Sequence, residues 1–154
     1  MSLPPAILVH GLPHARLALA PGRPVTLLSA PGAASYAGCG WWRAVVAAAL
    51  AGCPGVDAPD VLDCGDAPGR ALEALSLGCR WLVLRPGPSW EDISARAALQ
   101  GAQVLPAAPR SLDLSKAGSE RRVAAWLGIS AAAGVIRDEA ATMPPPSPSG
   151  KGPG

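Results

Sequence analysis

The sequence contains no phenylalanine, a single tyrosine and only two lysines, Lys116 and Lys151. Five tryptophans must therefore supply most of the aromatic part of a core, and arginine carries nearly all of the positive charge. Charged residues make up only 16% of the chain and hydrophobic residues 49%, a balance that favours a well-buried core. The net charge of +2 is too small for the basic stripe that nucleic-acid binding requires, so no nucleic-acid partner is predicted.

Metal-binding spacings and membrane-spanning runs are absent as well. Only two histidines are present, His10 and His14, and the four cysteines form no Cys-x-x-Cys pair, so no metal site is predicted. No apolar run approaches the ~18 residues of a membrane span, and the first residues lack the basic and apolar regions of a signal peptide. We therefore expect a cytoplasmic protein without a membrane segment, in which the cysteines are free thiols: Cys39, Cys53, Cys64 and Cys79.

The most informative positive feature is a repeated pattern between Val25 and Pro106. Short apolar runs are each followed by a turn and then by a segment rich in alanine and leucine. This alternation indicates parallel strands joined by helices and predicts an α/β sheet. The predicted strands are 6–10, 25–30, 61–62, 81–84 and 102–105, with 112–114 as either a short extra strand or an extended segment. The predicted helices are 41–51, 69–77 and the segment that Ser89 begins and Gly101 ends.

The amino-terminal region predicts a different arrangement of strands. In residues 15–20, Leu17 and Leu19 alternate with other residues and lie on one face of an extended segment. A Pro-Gly-Arg-Pro turn at 21–24 joins this segment to the strand at 25–30. The two segments therefore predict an antiparallel β-hairpin.

Together these patterns predict a single three-layer α/β domain over residues 1–142. We expect a mostly parallel sheet of about five strands, an N-terminal β-hairpin and helices on both faces. The last helix is predicted from Ser119 to Gly128, with a helical continuation to Ala141. Residues 143–154 are rich in Pro, Gly and Ser and cannot bury apolar surface, which predicts a disordered tail.

The loops that follow parallel strands gather at one edge of the sheet, where α/β sheets bind their ligands. Residues 29–40 are the predicted anion-binding loop, because the amino terminus of a helix presents unpaired N–H groups to a negative ligand. The alternative is a helix entry made flexible by its small residues. Eight residues of the strand-end loops are predicted to bind a ligand: Ser29, Gly32, Ser35, Gly38, Gly40, Asp66, Arg85 and Arg110.

A compact polar cluster follows the second strand of the repeat. Asp63, Cys64 and Asp66 supply two carboxylates and a thiol, groups that perform acid–base or nucleophilic chemistry. His10 can act as the base if its strand is adjacent, so the candidate catalytic residues are Asp63, Cys64 and His10. The alternative is structural. In that case Asp66 caps the next helix, Gly65 makes the turn, and His10 is a hydrogen-bonded residue at a strand end.

Two family resemblances rest on short stretches of the chain. Val61-Leu62-Asp63, placed after a predicted hairpin and strand, looks like the strand before the phosphorylation loop of STAS domains, the anti-sigma-factor antagonists. That resemblance implies a small cytoplasmic regulator that binds protein partners. Where that family places Asp-Ser and a Gly-Leu pair, this chain has Cys64-Gly65-Asp66-Ala67, so no phosphorylated serine is carried over. Gly38-Cys39-Gly40 resembles part of a dinucleotide-binding, Rossmann-like fingerprint, with Arg43 in place of its third Gly or Ala.

Three functional hypotheses follow from the sequence. The first is a non-catalytic regulatory or binding module that acts through a protein partner or a small anionic ligand, because no complete catalytic constellation is present. The second is a small-molecule enzyme that uses Asp63, Cys64 and His10. The third is a structural subunit of a homo-oligomer, which the high apolar fraction of so short a chain favours. The sequence does not identify a cofactor or the ligand.

Overall fold

The computed structural model of the chain describes residues 2–128, in which strands and helices alternate. The strands are β1 (Ala6–Val9), β2 (Thr26–Ser29), β3 (Asp60–Asp63), β4 (Trp81–Val83), β5 (Gln103–Leu105) and β6 (Ser111–Asp113). The helices are α1 (Leu12–Leu19), α2 (Ala33–Tyr36), α3 (Cys39–Ala51), α4 (Pro68–Ser76) and α5 (Trp90–Leu99), followed by a 3₁₀ helix at Ser119–Arg122. Residues 123–128 continue as α-helix, which confirms the helix predicted up to Gly128. The predicted continuation to Ala141 and the predicted disordered tail at 143–154 lie outside the described residues.

All six strands are parallel and form one sheet in the order β5-β4-β3-β2-β1-β6. The predicted α/β class with a parallel sheet is therefore confirmed. The sixth strand is the segment that the sequence left open as a strand or an extended stretch. It pairs with β1 in the register Ala6 to Ser111 and Leu8 to Asp113.

The predicted N-terminal hairpin is wrong, because residues 15–20 belong to helix α1 and its end rather than to a strand. β1 and β2 pair in parallel, and α1 connects them. The residues that α1 buries are Ala15, Ala18 and Leu19, at helical spacing, whereas Leu17 is exposed. Pro13 lies in the first turn of this helix, where its missing N–H costs no hydrogen bond. Leu17 and Leu19 therefore do not share a buried face, and the contact with the core is made by Ala15, Ala18 and Leu19.

The described α-helices that join consecutive strands cover one face of the sheet. From β1 to β5 the chain always steps in the same direction, and right-handed crossovers then place the connecting helices on the same side. The core of this side joins strand residues to buried residues of α1, α3, α4 and α5, among them Leu19, Trp42, Leu75 and Ile93.

Within the described residues, coil segments border part of the other face of the sheet. Strand residues Leu28, Val61 and Val83 are buried there against Leu3, Leu8, Trp81 and Leu105. Residues 3–5 and the connection from β5 to β6 line this side. That connection steps in the opposite direction and spans only residues 106–110, too few for a crossover helix.

The parallel arrangement brings the carboxyl ends of the six strands to one edge. His10 follows β1, Ala30 follows β2, Cys64 follows β3 and Leu84 follows β4, while Asp113 ends β6. This carboxyl edge is where ligands bind in α/β sheets, and it holds most of the predicted site residues.

Candidate functional site

At the middle of the carboxyl edge, Asp63 ties two loops together. Its Oδ1 accepts hydrogen bonds from the backbone N–H of Gly65 at 2.8 Å and of Gly32 at 3.1 Å. The backbone N–H of Asp63 donates to Ser29 Oγ at 2.8 Å, and this hydroxyl donates to the Ala30 carbonyl at 3.2 Å. The Asp63 carboxylate therefore already accepts a hydrogen bond from the Gly32 amide, the group that we predicted to bind an anionic ligand.

The other residues of the predicted anion loop are spread over two helices. Ser35 is exposed on α2, Gly38 precedes α3 with φ 100°, and Gly40 is exposed in the first turn of α3. Because α2 separates β2 from α3, the tight strand-to-helix turn of a dinucleotide fingerprint is not formed at Gly38. Anion binding by these residues stays a prediction, because nothing in the described residues indicates where a ligand would bind.

The three candidate catalytic residues do not form a joint hydrogen-bond network. Cys64 is fully buried, and burial, aided by the neighbouring Cys39 and Asp63, raises the pKa of its thiol to about 12. Its Sγ lies 3.9 Å from the Leu62 carbonyl. Within residues 2–128, no hydrogen bond joins His10 to Asp63 or Cys64. A thiol with this pKa is protonated at neutral pH, so Cys64 does not supply a thiolate nucleophile.

His10 instead contacts Asp113 across the pair of β1 and β6. Its Nε2 lies 2.9 Å from Asp113 Oδ1, which also accepts bonds from the backbone N–H and the hydroxyl of Ser115, at 2.9 and 2.8 Å. The backbone N–H of His10 donates to His14 Nδ1 at 3.1 Å. This is the hydrogen-bonded histidine at a strand end that the structural alternative describes. Asp113 was missed because it lies 103 positions from His10 and no local pattern links the two.

The environment of Asp113 keeps it ionised. Partial burial acts to raise its pKa, but the hydrogen bonds from Ser115 and His10, together with the charge of His10, outweigh burial and lower the pKa to about 2. The side chains of His10 and Asp113 are both accessible to solvent, at 36% and 28%. The pair is therefore a surface contact that fastens β6 to β1.

A cleft with a volume of about 310 Å³ lies beside β4 at the carboxyl edge. Its polar residues include Asp66 and Arg85, which we predicted to bind a ligand from separate loops. The backbone N–H of Arg85 donates to the Gly65 carbonyl at 2.7 Å and holds these loops together. The rest of the lining was not among the predicted residues and is mainly apolar: Pro68, Leu84, Pro86, Gly87, Pro88, Ser89 and Trp90.

Asp66 does not cap α4, contrary to the structural alternative. The residue at the cap position is Ala67, and no side chain makes a capping hydrogen bond there. Pro68 begins the helix and needs no acceptor for a backbone N–H. The carboxylate of Asp66 is thus left exposed at the rim of the cleft.

Arg110 lies at the opposite edge from the one we predicted. Because β6 is parallel to β1, the chain must return to the amino edge before β6 begins at Ser111. There the guanidinium of Arg110 lies over the ring of Trp126, 5.2 Å from its centroid. Trp126 Nε1 donates to the carbonyl of Ala6 at 2.9 Å, which fixes the ring at the start of β1.

The chain matches no known protein-family model and no curated protein. Among the helices within residues 2–128, none combines the length and apolar character needed to cross a membrane. The same residues contain no group of three or more His, Cys, Asp or Glu side chains arranged to hold a metal ion. The function therefore has to be inferred from the geometry of the chain itself.

Proposed function

We propose that this protein is a non-catalytic binding module that holds a small ligand in the cleft beside β4. The observation that carries the proposal is the convergence of Asp66, Arg85 and Trp90 from two strand-end loops on one cavity of about 310 Å³. Concave sites of this size with an apolar lining and a few polar groups are typical of small-molecule binding, and they occur at this edge of α/β sheets.

The walls of the cleft are preorganised. Pro68, Pro86 and Pro88 have backbone φ angles that their own rings restrict. The indole of Trp90 is held by its Nε1, which donates to the Leu84 carbonyl at 2.8 Å. A ligand that enters such a site orders few side chains, so less of its binding energy is spent on conformational entropy.

The lining indicates the chemistry of the ligand. Leu84, Trp90 and the prolines provide a surface for a planar, apolar group. Arg85 is exposed at the rim, and within residues 2–128 its guanidinium takes part in no ion pair. A guanidinium binds carboxylate or phosphate groups through paired N–H donors. The proposed ligand is therefore a small planar molecule with an anionic group.

The enzyme hypothesis receives less support from the same edge of the sheet. Asp63 Oδ1 accepts hydrogen bonds from two backbone N–H groups, and the side chain of His10 contacts Asp113. The raised pKa of the Cys64 thiol favours its protonated form at neutral pH. We also propose a cytoplasmic location, which the four free cysteines support.

The proposal is tested by NMR titration of the full chain with benzoate, phenyl phosphate and the uncharged benzyl alcohol. We expect saturable shifts of the Gly87 amide and the Trp90 indole N–H, with the two anions binding more tightly than the alcohol. Arg85→Ala should weaken benzoate binding by about tenfold, because it removes a charge-assisted hydrogen bond.

Arg80→Ala is the matched control, since Arg80 is an exposed arginine just before the amino end of β4 and does not line the cleft. It should leave benzoate binding unchanged. The proposal fails if none of the three probes shifts the Gly87 and Trp90 signals in a saturable manner. It also fails if Arg80→Ala weakens binding as much as Arg85→Ala does.

A further inference from the structure

A second cavity, which lies beside β6, has features of a binding site that the cleft beside β4 does not share. It lies between this strand and the helical segment 119–128, and its volume is about 310 Å³. Three basic side chains line it, Arg110, Lys116 and Arg122, together with Ser119 and Trp126. The cavity is thus basic where the cleft beside β4 is mainly apolar.

The buried hydroxyl of Ser119 has no partner. Ser119 begins the 3₁₀ helix and is only 2% exposed. Among residues 2–128, no group accepts a hydrogen bond from its Oγ or donates one to it. Buried polar groups in folded proteins are nearly always paired, because an unpaired one has lost its bonds to water without replacement. Ser119 also lines the cavity, so rotation of its side chain towards a bound acceptor would supply the missing partner.

The basic side chains around Ser119 are also without anionic partners. Arg110, Lys116 and Arg122 take part in none of the ion pairs within the described part of the chain. The one carboxylate on the lining there is Asp113, and its Oδ1 is already occupied by His10 and Ser115. The residues that line the cavity therefore carry three positive charges and one negative charge, and the negative one already accepts hydrogen bonds from His10 and Ser115.

We propose that this cavity binds the phosphate group of a small molecule, with Ser119 and the three basic side chains as donors. A phosphate dianion carries several acceptor oxygens and up to two charges, which suit a hydroxyl and three cations. A single carboxylate would neutralise only one of those cations. Arg110 is already oriented by its contact with the Trp126 ring. This proposal concerns a different cavity and does not rest on ligand binding beside β4.

The test is a calorimetric titration of the full chain with inorganic phosphate, glycerol 3-phosphate and acetate at constant ionic strength. We expect both phosphates to bind and acetate not to bind. Tighter binding of the ester identifies a phosphate monoester as the ligand, whereas equal affinities identify inorganic phosphate. Arg122→Ala should weaken phosphate binding by about tenfold, the effect of removing one charge-assisted hydrogen bond.

Arg121→Ala is the matched control, because this neighbouring arginine removes the same charge without lining the cavity. Ser119→Ala should weaken phosphate binding while leaving the melting temperature of the phosphate-free protein unchanged or raised. Three results would overturn the proposal: no heat of binding with either phosphate, equal binding of acetate, or equal losses in Arg121→Ala and Arg122→Ala. The last result would reveal a diffuse electrostatic attraction rather than a site.

Discussion

Two regions of the molecule differ in whether the hydroxyl of a buried serine is hydrogen-bonded. Between β2 and β3, the hydroxyl of Ser29 accepts one hydrogen bond from Asp63 and donates another to the Ala30 carbonyl. Beside β6, the equally buried hydroxyl of Ser119 has no partner within the described residues. In the first region, which we call the closed region, the polar groups are hydrogen-bonded to one another. In the second, which we call the open region, the Ser119 hydroxyl has no hydrogen-bond partner among the described residues.

The difference follows from position in the sheet. β2 and β3 are inner strands, so the loops at their ends meet neighbours on both sides and their polar groups find each other. β6 is at the end of the strand order and has β1 on one side only. The polar groups Ser29 and Asp63 after β2 and β3 are therefore paired with one another and with loop amides, whereas the Ser119 hydroxyl beside β6 is not paired within the described residues.

The largest effect is expected at Asp63, in the closed region. Asp63→Ala removes the acceptor of the Gly32 and Gly65 amides and should lower the free energy of unfolding by about 3 kcal/mol. Asp63→Asn keeps an acceptor oxygen and should lose only about 1 kcal/mol. Urea denaturation of the three proteins measures both values. If Asp63→Ala were as stable as the parent, the middle of the edge would not be closed by this carboxylate.

A smaller effect is expected at Asp113, beside the open region. Its pKa is lowered to about 2 in the folded protein, so it stabilises the fold above its unfolded pKa near 3.8, and this contribution is lost as the pH falls towards 2. Because Asp113 is partly exposed, screening limits the contribution to about 0.5 kcal/mol.

The measurement is urea denaturation of the parent and of Asp113→Asn across this pH range. The stability difference between them should be present at neutral pH and vanish between pH 4 and 2. A difference that does not change with pH would show that the carboxylate is not held by His10 and Ser115.

The smallest effect concerns thiol reactivity and leaves stability unchanged. Burial raises the pKa of Cys64 to about 12 and that of Cys79 to about 11, and it also raises the pKa of Cys39. Only Cys53 is partly exposed. A thiol-specific disulfide reagent at neutral pH should therefore react quickly with Cys53 alone, and Cys53→Ser should abolish the fast phase. A fast reaction at Cys64 would reopen the catalytic hypothesis for the closed region.

Local pattern predicted the elements but not how distant ones pair. The apolar runs and their turns were enough for β1 to β5, for α3, α4 and α5, and for a parallel sheet, but α2 was predicted as part of a loop. The hairpin prediction was wrong because Leu17 and Leu19 alternate over a stretch too short to distinguish a strand from a helix that buries two alanines and Leu19.

The candidate site was predicted to a similar extent. Asp66 and Arg85 line the same cleft, because the loops after parallel strands share an edge, and their binding of a ligand stays a prediction. Arg110 was misplaced because its edge depends on the direction of β6, which only the pairing with β1 decides. Asp63 and Gly32 are 31 positions apart in the sequence, and His10 and Asp113 are 103 positions apart. No local pattern in a single sequence predicts contacts between residues so far apart.

The most direct test of the contrast between the two regions is the change in unfolding free energy caused by Ser29→Ala and by Ser119→Ala. We expect Ser29→Ala to lose about 1 to 2 kcal/mol, because it leaves the buried N–H of Asp63 without an acceptor. Ser119→Ala should lose nothing or gain up to about 1 kcal/mol, since it removes an unpaired hydroxyl. Equal losses in the two variants, measured without phosphate, would contradict the division into a closed and an open region.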